Sequence, residues 1–104
     1  MELDSRIVAW ILYSVDLAAG KAPASLTDIS SAADSINHAV PTQQELSRSL
    51  RWLQAHSLIE SHGKFYSLSE LGHSLVGRTR EHASTVSSVL AHLSEGIQRI
   101  SAGA

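Results

Sequence analysis

Residues 58–72, LIESHGKFYSLSELG, constrain the fold of this chain more than any other stretch of the sequence. Apolar residues at helical spacing lie on both sides of it, and a plain bundle of helices would have no use for the interruption. Residues 58–60 alternate as a strand does, 61–64 form a polar turn, and 65–68 read as the return strand. Gly63 supplies the positive φ that so tight a turn requires. The stretch therefore predicts an antiparallel β-hairpin.

A two-stranded hairpin is not stable on its own, so it has to share a hydrophobic core with the helices. We expect the chain over residues 58–68 to turn at His62-Gly63 and to lie against the third helix. Either Phe65 or Tyr66 is expected to pack inward. The fold class that follows is mainly α with a small β hairpin.

The first helix is predicted from about residue 4 to 19, with Asp4 or Ser5 as its N-cap and Gly20 as its end. Its apolar face is wider than one stripe, since two sets of side chains contribute: Ile7, Ile11, Val15 and Ala18, and then Val8, Trp10 and Leu12. A helix that is apolar on more than one side needs more than one packing partner. We expect a single core of this size not to supply both.

Two further helices follow, joined by about four residues that include Pro41. Ser25-Leu26 is expected to make a very short strand, and Thr27 to cap a second helix that ends near Asn37. The third helix has the strongest start signal in the chain, the capping box of residues 42–45, Thr-Gln-Gln-Glu. This pair is predicted to be a helix-turn-helix. Its buried stripe is Leu46, Leu50 and Leu53, and its outward side chains are Gln43, Gln44, Ser47, Arg48 and Arg51.

The last helix is predicted as one long element over about residues 69–100, capped by Ser69, with 101–104 as a disordered tail. Apolar or small residues recur along it at alternating spacings of three and four, which is a heptad seam. The seam either packs on the first helix of the same chain or joins two copies, and the two readings are compatible. Its members are Thr79, Ala83, Val86, Leu90, Leu93, Ile97 and Ile100, of which the last five are the predicted dimer interface.

The segments 46–61, LSRSLRWLQAHSLIES, and 63–72, GKFYSLSELG, resemble the recognition helix and wing of small bacterial winged-helix regulators of the PadR and MarR kind. The matching positions are Leu50, Leu53, Leu58, Ile59, Tyr66, Leu68, Ser69 and Gly72, within a similarity that covers about residues 26–76. Ser57 departs from the pattern, which usually has Gly there. Residues 32–46 also resemble a segment of short bacterial proteins. The resemblance implies a winged helix-turn-helix with long N- and C-terminal helices.

Length and composition agree with one winged-helix domain over 1–104, with a core of about 4–76. The absence of cysteine excludes disulfides and thiolate metal sites. We expect a cytoplasmic protein without a membrane partner, because the chain has neither a secretory signal pattern nor an apolar run long enough to span a bilayer. The formal net charge is −2, so the chain lacks the basic surface usual in DNA-binding domains.

Catalytic and metal chemistry are not indicated. None of the six histidines is paired at the i, i+4 spacing of a helical zinc site, and no serine lies in a Gly-x-Ser-x-Gly elbow. No glycine-rich phosphate loop is present. We therefore expect no enzyme activity, no cofactor and no metal, and we interpret Trp52 as a packing residue.

The leading hypothesis is a dimeric winged-helix protein that binds double-stranded DNA, a transcriptional regulator with its third helix in the major groove. The predicted contact residues are Thr42, Gln43, Gln44, Ser47, Arg48, Arg51 and, at the tip of the wing, Lys64. Arg48, Arg51, Lys64 and Arg78 are expected to form one continuous basic patch. The alternative is a winged helix used for protein–protein interaction without DNA binding, which the acidic balance and short wing favour.

Overall fold

The computed structural model describes residues 4–103, and it is mainly helical with one small antiparallel hairpin, as predicted. The helices are α1 (Ser5–Ala18), α2 (Leu26–Asn37), α3 (Gln43–Ala55), α4 (Glu70–Glu81) and α5 (Val86–Gly103). The strands are β1 (Ile59–His62) and β2 (Phe65–Leu68). No helix within residues 4–103 combines the length and the hydropathy needed to cross a membrane.

Helix α1 is the centre of the core. Its five consecutive residues from Val8 to Leu12 are all buried, so the helix is covered around its whole circumference. It packs against α2, α3 and α5 and touches β2. The expectation that one core would not supply both of its packing partners was therefore wrong. The second partner is α5 of the same chain, and the Oγ atoms of Ser5 and Ser94 lie 3.0 Å apart across this contact.

Helix α2 begins two residues earlier than the sequence analysis placed it. Ser25 is the N-cap, and it forms a capping box with Asp28 in which each side chain accepts a hydrogen bond from the other residue's backbone N–H. Thr27 lies inside the first turn. The predicted short strand is also displaced, because Ala24 makes the β-bridge, exchanging hydrogen bonds of 2.7 and 2.8 Å with the backbone of Tyr66.

The hairpin is confirmed, with its turn one position later than predicted. His62 pairs with Phe65, so Gly63 and Lys64 are the two turn residues. Gly63 has φ +66° whereas Lys64 does not have a positive φ, which is the pattern of a type II′ turn. Tyr66 packs partly against the core, while Phe65 is 48% exposed.

The Leu-Ser-x-x-Gly motif at residues 68–72 is a packing device that joins the hairpin to α4. Ser69 caps α4 by accepting from the Gly72 N–H at 3.0 Å, and its hydroxyl donates to the carbonyl of Ser57. Gly72 lies so close to β1 that a Cβ there would be 2.1 Å from the carbonyl oxygen of Leu58. Ser57 itself has φ +61°, a conformation that favours glycine.

The single C-terminal helix predicted over 69–100 is wrong. Helix α4 ends at Glu81 and α5 begins at Val86, with residues 82–85 between them. Helix α5 then folds back onto α1 and α4. Residues 101–103 continue α5 and are not a disordered tail, and Ala104 lies outside the described residues.

Candidate nucleic-acid interface

Helix α3 presents a polar face because its opposite side is anchored in the core. The capping box is formed as predicted: the Glu45 N–H donates to Thr42 Oγ1 at 3.0 Å, and the Thr42 N–H donates to Glu45 Oε1 at 2.8 Å. The stripe of Leu46, Leu50 and Leu53 is buried. This fixes the rotation of the helix, so that the predicted contact residues Gln43, Gln44, Ser47, Arg48 and Arg51 are all exposed.

Arg51 lies along the middle of this face. It lines a cleft of about 600 Å³ on the side of α1, together with Gln44 and Arg48. It also lines a cleft of about 320 Å³ on the side of the hairpin, together with Gln43 and Ser47. The contact residues of α3 are therefore divided between two shallow grooves, and Arg51 is the side chain common to both.

The hairpin is fastened to the C-terminal end of α3. Gln54 Nε2 donates to the Oγ of Ser61 on β1 at 3.1 Å, which fixes the direction in which the hairpin leaves the helix. Lys64 is exposed at the turn, next to the exposed ring of Phe65. A cationic and an aromatic side chain at this tip are suited to contact a phosphate and a sugar or base edge.

Gln54 and Phe65 were not predicted as residues of this surface, although the sequence indicates both. Gln54 follows Arg51 by three residues and Ser47 by seven, so helical periodicity places it on the same face. Strand alternation places Tyr66 on the face of the buried Leu68, which leaves Phe65 on the opposite face.

The charge of the surface is mixed. Asp4 and Glu45 line the larger cleft beside Arg48, although both carboxylates accept backbone hydrogen bonds as helix caps. On the hairpin, His62 Nε2 lies 3.7 Å from a carboxylate oxygen of Glu60. Arg80 lies elsewhere, because it pairs with Asp16 of α1. Arg78 is exposed on α4, and its continuity with the basic residues of α3 stays a prediction.

Trp52 is a packing residue, as interpreted from the sequence. Its ring is half-buried against the core and stacks on the His56 ring with centroids 4.0 Å apart. Its indole also forms part of the apolar floor of the larger cleft, with Ile7, Val8 and Ala55. This gives the cleft an apolar base beneath charged residues.

The predicted dimer interface is divided by the fold. Leu93 and Ile97 are fully buried in the core of their own chain, so they are not available to a second copy while α5 keeps this position. Leu90 and Ile100 are half-buried, and Val86 is 46% exposed. Two of the five predicted residues are therefore core residues of the monomer.

Within residues 4–103, His, Asp and Glu side chains do not gather in any group of three or more that could hold a metal ion. Comparison with known proteins adds no assignment: no family model, no curated protein and no solved structure matches this chain.

Proposed function

We propose that this protein is a winged helix-turn-helix that binds double-stranded DNA as a dimer and regulates transcription in the cytoplasm. Helices α2 and α3 form the helix-turn-helix, and the hairpin is the wing. The Leu-Ser-x-x-Gly pattern from which the resemblance to PadR- and MarR-like regulators arose joins that wing to α4.

One observation carries the DNA-binding proposal. The capped helix α3 exposes an uninterrupted face of glutamine, serine and arginine, and a hairpin with a lysine at its tip is hydrogen-bonded to the end of that helix. Glutamine and arginine read base edges in the major groove through paired hydrogen bonds, while lysine contacts the phosphate backbone. The face and the hairpin would thus meet a groove and its flanking backbone.

The test measures the affinity of the protein for a random-sequence DNA duplex by fluorescence anisotropy at low and moderate salt. Replacing both Arg48 and Arg51 with alanine should weaken binding at least tenfold, because the two lie three residues apart on α3 and reach one groove. Lys64→Ala should have a smaller effect. Arg99→Ala is the matched control for Lys64→Ala, because each removes one positive charge from an exposed site.

Unchanged affinity in the double variant, with a native circular dichroism spectrum, would exclude this docking mode. If Arg99→Ala weakens binding as much as Lys64→Ala does, the affinity depends only on the net charge of the protein. The absence of any affinity in the unaltered protein would favour the second candidate function.

That candidate is a winged helix used for protein–protein interaction. The observation that favours it is the cleft of about 600 Å³ between α1 and α3, which has an apolar floor and carries both carboxylates and guanidinium groups at its edge. A mixed rim around an apolar centre is typical of a protein interface.

A further inference from the structure

The connection between α4 and α5 contains nothing that forces the chain to turn back. Residues 82–85 are His-Ala-Ser-Thr, without proline or glycine. His82, the C-cap of α4, has φ −110° and ψ 2°, close to the right-handed helical region. The end of α2 is different, because His38 there is left-handed with φ 54° and Pro41 follows. None of residues 82–85 has a positive φ, so the sequence of this connection allows one continuous helix from α4 into α5.

The buried faces of the two helices are in phase across the break. Gly72, Val76 and Thr79 are buried on α4, and Val89, Leu93, Ser94 and Ile97 are buried on α5. From Gly72 to Leu93 and Ile97 the spacing alternates between four and three, through the half-buried Ala83 and Leu90 and the exposed Val86. A continuous helix would therefore present all of these side chains along one seam.

We propose that α5 exchanges between two copies of this chain. In the exchanged dimer α4, residues 82–85 and α5 form one helix over 70–103, and the α5 part of each copy lies on α1 and α4 of the other. At about 1.5 Å per residue this helix is roughly 50 Å long. It reaches well beyond a domain whose largest extent is 29 Å.

Exchange replaces each contact within a chain by the same contact between chains. The Ser5–Ser94 hydrogen bond, the burial of Leu93 and Ile97 beside α1 and the approach of Gly96 to Leu75 would all be conserved. The monomer loses only the cap of α5, where the Ser88 N–H donates to Thr85 Oγ1 at 3.1 Å. The dimer gains helical hydrogen bonds over residues 82–85 and loses the freedom of two separate molecules. Protein concentration therefore sets the balance.

This exchange supplies the dimer that the proposed DNA-binding function requires, and it explains how the seam residues can serve both a core and an interface. Its test does not involve DNA, so the exchange and the DNA-binding function can fail separately.

The test uses the Ser5–Ser94 contact as a reporter. The chain has no cysteine, so Ser5→Cys with Ser94→Cys introduces one pair of thiols where the two hydroxyl oxygens are 3.0 Å apart. A disulfide there joins residues of one chain in the monomer and residues of two chains in the exchanged dimer. The variant is refolded in reductant at micromolar and at near-millimolar concentration, then oxidised and separated on a non-reducing gel.

We expect the covalent dimer to increase several-fold at the higher concentration and to return to monomer on reduction. Ser84→Pro in the same background should remove it, because proline at residue 84 prevents a continuous helix while residues 83 and 84 lie outside both helices in the monomer. Ser84→Ala with Thr85→Ala should increase it, because these changes remove the cap and favour helix. The two single-cysteine variants measure disulfides that form by random collision.

An exclusively intrachain disulfide at every concentration, in the Ser84→Ala/Thr85→Ala background as well, would overturn the exchange. A dimer on size exclusion that contains only intrachain disulfides would also overturn it, since that dimer is formed side by side. If the cysteine pair does not fold, the cysteine-free chain decides the question. Refolding at high concentration should yield a dimer that persists for a time after dilution, and Ser84→Pro should yield monomer only.

Discussion

Gly72 shows how one residue can link a sequence motif to the fold. A side chain at this position would meet the backbone carbonyl of Leu58 at 2.1 Å, and backbone has little room to move inside a packed core. Gly77 lies on the same helix, α4, but nothing within 4 Å would meet a Cβ there. The two glycines therefore have opposite roles, and only Gly72 belongs to the Leu-Ser-x-x-Gly motif.

We predict that Gly72→Ala lowers the free energy of unfolding by about 3 kcal/mol or prevents folding, because helix α4 must move away from β1. Gly77→Ala, the matched control, should raise the free energy of unfolding by up to about 1 kcal/mol, because alanine is the better helix former at an exposed position. Urea unfolding followed by circular dichroism measures both. Similar values for the two variants would contradict the close contact between α4 and Leu58.

Helix starts were predicted well where both partners of a capping box were recognised. Thr42 with Glu45 gave the start of α3 correctly, and Ser69 gave the start of α4 as a single N-cap without a box. At α2 the box of Ser25 and Asp28 was overlooked in favour of Thr27. The usual capping box has glutamate or glutamine at the third position, and here aspartate takes that place. The error moved the start of the helix by two residues and displaced the predicted strand.

This correction can be tested by truncating the two candidate caps. Ser25→Ala should lower the free energy of unfolding by about 1 kcal/mol, because the Asp28 N–H loses its acceptor. Thr27→Ala should change it by less than about 0.5 kcal/mol, because Thr27 is an exposed residue within the first turn. Thermal unfolding of both variants provides the comparison. A larger loss for Thr27→Ala would restore the start of α2 to the position first inferred.

The break between α4 and α5 could not be predicted from the sequence, and the reason is physical. Residues 82–85 have no breaker and the 3,4 spacing runs through them, so local preferences permit both a continuous helix and a turn. What decides is the wide apolar face of α1, which α5 covers within one chain. The seam was predicted to pack on the first helix of the same chain, to join two copies, or both, and in this structure α5 covers the wide face of α1.

The exposed face of α3 was predicted more completely than the arrangement of the helices around it. The outward face of α3 follows from helical period and the position of the capping box alone, and every residue predicted on it is exposed. The clefts beside this face depend on how the helices pack against one another, and that packing could not be predicted from the sequence. Gln54 belongs to the site because its side chain donates a hydrogen bond to Ser61 of the hairpin.

Considered as a whole, the molecule has few positive charges for the proposed DNA interface. The chain has eight lysine and arginine residues against ten acidic residues, and only Arg48, Arg51 and Lys64 belong to the proposed interface. Each phosphate that a protein neutralises on duplex DNA contributes about −0.9 to the slope of log affinity against log salt concentration. The slope therefore counts the cations that reach the backbone.

We predict a slope no steeper than about −5.4 for a dimer that places six such cations on DNA, and no steeper than about −2.7 for a monomer with three. Ser84→Pro, which should block the exchange of α5, is expected to reduce the slope toward the monomer value and to weaken binding to a duplex. Fluorescence anisotropy across a salt series measures both proteins. A slope steeper than the dimer limit would mean that further cations, such as the exposed Lys21 or Arg78, lie in the interface. Equal slopes within the monomer limit would show that only one copy contacts DNA, and equal slopes beyond that limit would show that the dimer forms without the exchange.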